Sequence, residues 1–219
     1  MKIAWYGQSC FRLTIKANGA EKITLFIDPF GKEIGLTPPR ASADIVIVSH
    51  NHFDHNNIQT LGGNPFVIEG PGEYDVKKIY VKGIYSYHDD KKGEERGINT
   101  ISVIEAEDLK VCHLGDLGQK ELSDNQLEKI GEVDVLMVPV GGGNYTIDGS
   151  EAVKIINQIE PQVVIPMHYK IPGNTVKLDS VEKFLQEIGA EKETAIEELT
   201  VTKKDLTEKE MKVVVMKPL

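Results

Sequence analysis

The sequence predicts a layered sandwich of α/β or α+β class, and three features favour that prediction. Short runs rich in β-branched and aromatic residues fill the first third of the 219-residue chain. The last third alternates continuous apolar runs with amphipathic stretches, which is typical of strand-helix-strand units. Helices that follow many strands must cover a sheet system, and the result is packed layers. The length and the 40% apolar composition suit a single domain over residues 1–219.

Strands are predicted at eight positions in the first half of the chain, with turn residues such as Asn18-Gly19 and Asp28-Pro29 between them. A loop rich in Gly and Pro follows the third strand, and the fourth is a continuous apolar run typical of a strand buried on both faces. The eight strands are Lys2–Gly7, Phe11–Ala17, Lys22–Ile27, Ile45–Val48, Pro65–Ile68, Lys78–Tyr85, Thr100–Glu105 and Lys110–His113.

The last third is predicted to contain two helices among three strands. Asp148 and Glu151 form a capping box at the start of the first helix, and Gly189 stands where a helix-ending glycine is expected. The predicted elements are a strand at Asp134–Val140, a helix at Ser150–Ile159, a strand at Gln162–Pro166, a helix at Val181–Ile188 and a strand at Met211–Met216.

Composition excludes several classes of protein. The net charge is −9 and no run of five basic residues occurs, so binding to nucleic acid is not expected. No apolar stretch reaches the roughly 20 residues that cross a bilayer, and the first residues show no signal-peptide pattern. Cys10 and Cys112 lie far apart and are expected to be buried, reduced thiols. We therefore expect a cytoplasmic protein without a membrane partner. The composition is also compatible with a homo-oligomer.

Three of the six histidines and one aspartate lie within six residues, directly after the buried run that ends at Val48. In an extended segment, residues two apart point the same way, so His50 and His52 can hold one ion. The chain must then turn, and Asp54 and His55 can face a second ion. Imidazole and carboxylate groups suit zinc and also accept manganese or iron.

One motif cannot complete two coordination shells, so further ligands must come from distant parts of the chain. Asp116 and His168 each follow an apolar strand, and His88 stands at the end of another. Open α/β sheets place their sites at the carboxyl ends of strands, so these side chains are expected to converge.

At this point the chain resembles the metallo-β-lactamase fold superfamily. Within it, the chain is similar to the branch that contains L-ascorbate-6-phosphate lactonase and uncharacterised metal-dependent hydrolases. The resemblance covers nearly the whole chain. Its motifs are Trp5-Tyr6-Gly7-Gln8-Ser9-Cys10-Phe11, Ile27-Asp28-Pro29, His50 through His55, His113-Leu114-Gly115-Asp116, Pro139-Val140-Gly141-Gly142 and Pro166-Met167-His168-Tyr169.

The resemblance implies a four-layer αββα sandwich with two divalent metal ions at one edge. The implied ligands of the first ion are His50, His52 and His88, those of the second are Asp54, His55 and His168, and Asp116 bridges the two. His88 and His113 compete as the third ligand of the first ion, and we favour His88. His113 then either supports the site and carries protons or is a buried histidine satisfied by the backbone. Gln8 stands where many relatives have histidine, so the role of that position is open.

We expect a hydrolase that uses water activated by a dinuclear metal centre to cleave a small ester, lactone or related molecule. Asp54 and His113 are the predicted catalytic residues. Tyr145, Thr146 and Lys170 are candidates for contact with a small-molecule substrate. Arg96 lies in a charged turn with Glu94 and Glu95, and we interpret it as solvated or ion-paired. The alternatives are a phosphodiesterase or nuclease of the same fold and a non-hydrolytic metal-binding protein.

Overall fold

The computed structural model describes residues 1–16, 21–190, 194–206 and 210–219, and these residues form two mixed β-sheets. The first sheet has the order β12 (Glu198–Thr200), β1 (Lys2–Gly7), β2 (Cys10–Lys16), β3 (Lys22–Ile27), β4 (Ser42–Val48) and β5 (Gly62–Glu69). The second has the order β13 (Lys212–Val213), β11 (Val163–Met167), β10 (Val135–Pro139), β9 (Leu109–His113), β8 (Ile98–Ala106), β7 (Ile79–Tyr87) and β6 (Gly72–Val76).

The two sheets share one large apolar core, which includes Trp5 and Leu13 of the first sheet and Val103 and Met137 of the second. The α-helices lie on the side of the second sheet: α1 (Asp124–Ile130) and α2 (Gly149–Ile159) contact it, and α3 (Val181–Ile188) packs on α2. The predicted layered sandwich is confirmed.

A smaller apolar cluster covers the outer face of the first sheet, where Phe26 and Val46 meet Phe30 and Ile34. This layer is a loop with a 3-10 helix at Lys32–Ile34 and contains no α-helix. The local sequence explains why this outer face is covered by a loop, whereas α-helices cover the outer face of the second sheet. Gly31 and Gly35 flank the 3-10 helix, and two prolines follow at 38 and 39, so a longer helix cannot form.

The predicted helix boundaries follow from capping groups. The side chain of Asp148 accepts from the backbone N–H of Glu151, whose side chain accepts in return from the N–H of Asp148, so the predicted capping box is confirmed. Gly189 ends α3 in the left-handed conformation. Helix α1 was not predicted, although Ser123 and Gln126 form the same kind of capping box at its start.

Several strands differ from the prediction. β6 and β12 were missed, and the predicted strand at Met211–Met216 is reduced to β13. β6 and β7 form a hairpin whose turn residues, Lys77 and Lys78, both have positive φ angles. Such turns usually contain Asn or Gly, so a Lys-Lys turn gave no recognisable signal. The predicted Asn18-Gly19 turn lies outside the described residues.

Parallel pairing brings the carboxyl ends of several strands to one edge of the molecule. β9, β10 and β11 are parallel neighbours in the second sheet, and β3 and β4 are parallel neighbours in the first. Side chains that follow these strands therefore meet although they are distant in the sequence. None of the helices within the described ranges has the length and apolarity needed to cross a bilayer.

Candidate metal centre

Seven side chains that sequence analysis singled out converge at this edge in two adjoining groups. Within each group, one nitrogen or oxygen atom of every member lies within 4.8 Å of the corresponding atoms of the others. Five of the seven side chains are buried, while His52 and Asp54 are half-buried. The first group contains His50, His52 and His88, and the second contains Asp54, His55, Asp116 and His168.

The imidazole rings of the first group face one another closely. The ring centres of His50 and His52 are 4.6 Å apart, as are those of His50 and His88. Nδ1 of His50 pairs with the Ser49 hydroxyl at 2.9 Å, and Nε2 is buried without a hydrogen-bond partner. Burial and the nearby charge of His55 lower the pKa of His50 to about 3. His50 is therefore neutral and keeps a lone pair available for a cation.

Asp116 joins the two groups through a single oxygen atom. Its Oδ2 lies 3.1 Å from Nε2 of His55, 3.1 Å from Nε2 of His168 and 3.6 Å from Nε2 of His88. Burial alone would raise the pKa of Asp116, but His168 and His55 hold that pKa well below its usual range. The carboxylate is therefore ionised and placed between the two sets of histidines.

Two contacts hold the Asp116 side chain and backbone in place. The Ser9 hydroxyl donates to Oδ1 of Asp116 at 3.1 Å, and the backbone N–H of Asp116 donates to Oδ1 of Asn99 at 2.9 Å. The amide group of Asn99 donates in turn to the carbonyl oxygen of Leu114 and to the hydroxyl of Ser86. The bend that presents Asp116 is thus fixed from β8, the neighbouring strand.

The donor set fits divalent transition-metal ions. Four ring nitrogens of the site are buried without a hydrogen-bond partner among the described residues: Nε2 of His50 and of His55, and Nδ1 of His88 and of His168. Nε2 of His55 is near Asp116 but is not aligned for a hydrogen bond with it. Unpartnered buried nitrogens destabilise a fold, and imidazole lone pairs beside ionised carboxylates are the usual ligands of zinc and related metals.

Asp28 contacts residues of the site without belonging to either group of ligands. It was not predicted as a site residue, although it lies in the Ile27-Asp28-Pro29 motif. It accepts from the backbone N–H and the hydroxyl of Ser49, both at 2.7 Å, and its Oδ2 lies 3.0 Å from Nδ1 of His55. The contact with Nδ1 directs Nε2 of His55 towards Asp116. Carboxylates commonly orient metal-binding histidines in this way.

Gln8, whose role sequence analysis left open, is fully buried within the second group. Its side-chain nitrogen lies 2.9 Å from Oδ2 of Asp54 and 2.9 Å from Nε2 of His168. Its side-chain oxygen accepts from the amide of Asn174 at 2.9 Å, which fixes the orientation of the amide group. Gln8 therefore positions one side chain from each of two distant segments.

The structure corrects the predicted catalytic role of His113. Its ring is fully buried, with Nε2 2.9 Å from the carbonyl oxygen of Ser9, while Nδ1 accepts from the backbone N–H of Gly115 at 3.1 Å. Both ring nitrogens are satisfied by the backbone, so neither is free to bind a metal or to exchange protons with a substrate. His113 is therefore a buried histidine satisfied by the backbone, and His88 completes the first group of ligands instead.

Two glycines permit the close approach of the ligand-bearing segments. A Cβ atom at Gly118 would lie 2.4 Å from the carbonyl oxygen of His88, and one at Gly141 would lie 2.0 Å from that of His168. Any larger residue at either position would displace the backbone that carries a histidine of the site. These glycines are therefore required by packing around the site.

A cavity of about 280 Å³ opens beside His88. Tyr145 and Thr146, two of the predicted substrate contacts, line it, whereas the third, Lys170, is exposed and does not line it. The cavity also contains Arg96, which forms no ion pair with any carboxylate of the described residues. Its guanidinium carbon lies 4.7 Å from the centre of the Tyr145 ring. Of the two alternatives for Arg96, solvated or ion-paired, the structure therefore excludes the ion pair.

The chain is similar to known proteins of one family. Residues 2–168 match the family model described as a β-lactamase superfamily domain. A UPF0173 protein of Pyrococcus abyssi is 28% identical over 212 residues, covering 86% of this chain and 90% of that protein. A UPF0173 metal-dependent hydrolase of Thermoplasma volcanium is 25% identical over 197 residues, covering 77% of this chain and 83% of that protein.

A crystal structure from Thermotoga maritima is similar over almost its whole length. That protein is described as a candidate zinc-dependent hydrolase of the metallo-β-lactamase superfamily. It is 38% identical to this chain, covers 98% of it, is itself covered over 97% and has a TM-score of 0.77. The chain therefore belongs to the metallo-β-lactamase superfamily and is a metal-dependent hydrolase.

Proposed function

We propose that the seven clustered side chains hold two divalent metal ions, with zinc as the best fit, and that the protein hydrolyses a small ester, lactone or related molecule. The observation that carries this proposal is the position of Asp116 Oδ2, which approaches histidines of both groups. A carboxylate shared in this way can compensate the charges of two neighbouring cations.

Each group supplies the ligands of one ion in this proposal. His50, His52 and His88 would hold the first ion, and Asp54, His55 and His168 would hold the second, with Asp116 contributing to both. When bound, such a pair lowers the pKa of a shared water towards neutrality and polarises the substrate oxygen.

Asp54 is the carboxylate of the site that a substrate can reach most readily. Its side chain is 13% exposed, against 4% for Asp116. Burial alone would raise its pKa, but His55 lowers it well below the usual range, so Asp54 stays ionised. We propose that Asp54 accepts a hydrogen bond from the attacking water. The amide of Gln8 donates to Asp54 and holds its carboxylate in orientation.

The size and charge of the protein favour small substrates. A cavity of about 280 Å³ is at the small end of the range for ligand sites. The net charge of −9 opposes the approach of a polynucleotide. An ester or lactone of a few carbon atoms therefore suits this site better than a nucleic acid.

Elemental analysis after loading with excess zinc is expected to find two ions per chain. Removal of the ions by a chelator should abolish hydrolysis of 4-nitrophenyl acetate, and zinc should restore it. Thermal stability should also fall without metal, because the clustered ligands lose their common partner. Stoichiometry of one ion or less would contradict the dinuclear centre. Faster turnover of bis(4-nitrophenyl) phosphate than of any ester or lactone would move the assignment to phosphodiesters.

The variant Gln8→Leu is expected to weaken binding of the second ion by about 10- to 100-fold. Leucine has a similar size but cannot donate to Asp54 or His168, so both side chains lose their common restraint. Competition with a chromogenic chelator measures the affinity. Gln158→Leu is the matched control, because Gln158 pairs with the backbone of Leu122 and not with the site. Equal affinities of the two variants would show that Gln8 does not position the ligands.

A further inference from the structure

Arg96 is held in a fixed position beside the candidate metal centre. Its backbone N–H donates at 2.8 Å to the carboxylate of Asp89, the residue that follows His88. Its guanidinium lies over the ring of Tyr145. Stacking on an aromatic face leaves the N–H groups at the edge of the guanidinium free to donate. Both Arg96 and Tyr145 line the cavity that begins at His88.

The carboxylates around this cavity are engaged elsewhere. Asp89 accepts from four backbone N–H groups, those of Lys91, Gly93, Glu95 and Arg96. Asp148 and Glu151 cap the start of α2. Glu95 pairs with Lys91.

The other basic side chain of the cavity, that of Lys120, already has carboxylate partners. Lys120 lies 3.2 Å from Glu151 and 3.5 Å from Asp90. Within the described residues that line the cavity, Arg96 is thus the basic side chain without a carboxylate partner. A half-buried guanidinium without a carboxylate partner, next to the candidate metal centre, is available to bind an anionic group from outside the protein.

We propose that Arg96, supported by Tyr145, binds a carboxylate or phosphate group of the substrate, so that the hydrolase acts on small anionic molecules. This inference rests on the proposed function for the identity of the reaction but not for the binding of the anion. A guanidinium offers two parallel N–H donors that match either group. The reacting bond would then lie towards His88 and the anionic end towards Tyr145.

Calorimetric titration of the zinc-loaded protein with succinate and with inorganic phosphate tests the binding step. Arg96→Gln is expected to lower the affinity for at least one of the two anions by about 10- to 100-fold, at unchanged metal content. The anion whose affinity falls identifies the recognised group. Unchanged affinity for both anions overturns the proposal.

Lys120→Gln is the matched control, because it removes the same charge from the same cavity. We expect it to change the affinity by less than about twofold, since Lys120 is already paired. Equal losses in the two variants would assign the effect to the general charge of the cavity and overturn the role of Arg96. Arg96→Lys keeps the charge without the planar guanidinium and should retain part of the affinity. It also serves as the second variant if Arg96→Gln unfolds.

Hydrolysis gives an independent measurement with a matched pair of esters. The free acid and the methyl ester of 4-nitrophenyl adipate differ in one negative charge, and the longer chain disfavours attack of the free carboxylate on its own ester. The wild-type kcat/KM should favour the free acid, and Arg96→Gln should reduce that preference about 10-fold or more. A preference that persists in the variant overturns the proposal. If the wild type hydrolyses neither ester, the proposed ester hydrolysis fails, and the titration still reports on Arg96.

Discussion

Replacing Asp116 with Asn is expected to produce a protein that retains one metal ion and hydrolyses its substrates at least about 100-fold more slowly. The variant keeps the shape of the side chain but removes its charge. Oδ2 of Asp116 lies within 3.6 Å of nitrogen atoms from both groups of ligands. Two neighbouring cations would then repel each other with less compensation, so one of them should bind weakly.

Metal stoichiometry and the pH–rate profile of the Asp116→Asn variant test this expectation together. Loss of one ion should shift the rising limb of the profile to higher pH, because water activated by a single ion ionises less readily. Asp134→Asn is the matched control: Asp134 is equally buried but pairs with Lys203 and with the backbone of Lys110. Two ions per chain and an unshifted profile in Asp116→Asn would refute the bridging role.

Replacing His88 with Ala is expected to empty the first site, whereas replacing His113 with Ala should leave both ions in place. Nε2 of His88 faces Asp116, and the ring centres of His88 and His50 are 4.6 Å apart. His113 uses both ring nitrogens in bonds to Ser9 and Gly115. Its removal should instead lower the free energy of unfolding by about 2–4 kcal/mol, through a cavity and unpaired backbone groups.

Zinc analysis and denaturant unfolding separate the two effects. His88→Ala should lose about one ion per chain and most of the activity, with little change in the stability of the metal-free protein. His113→Ala should lose stability at unchanged stoichiometry. The opposite pattern, with metal lost from His113→Ala and retained in His88→Ala, would exchange the roles of the two histidines.

The part of the site that short-range spacing alone anticipated has a local cause. His50, His52, Asp54 and His55 lie on one short segment after a buried strand, so their spacing alone predicts two ligand pairs. The capping box at Asp148 is similarly local and is confirmed. The Lys77-Lys78 turn shows the limit of such inference, because its backbone conformation is one that its residue types rarely adopt.

Other features depend on partners that are distant in the sequence. His88 follows β7 and His113 is the last residue of β9, and the two carry the same chemistry. A bond to Ser9, 104 residues away, nevertheless turns His113 from the site. Gln8 belongs to the site through Asp54, His168 and Asn174, the last of them 166 residues away. Residue type and spacing contain no information about such contacts.

The sequence by itself determined the layered fold, the histidine motif and the strand ends at which further ligands had to lie, because hydrophobic periodicity and short-range spacing act within a few residues. Only the tertiary structure decided between the open alternatives and showed which other side chains support the ligands. It excluded His113, included Gln8 and Asp28, and left Arg96 unpaired beside Tyr145. These outcomes depend on hydrogen bonds and burial that exist only once the two sheets have packed together.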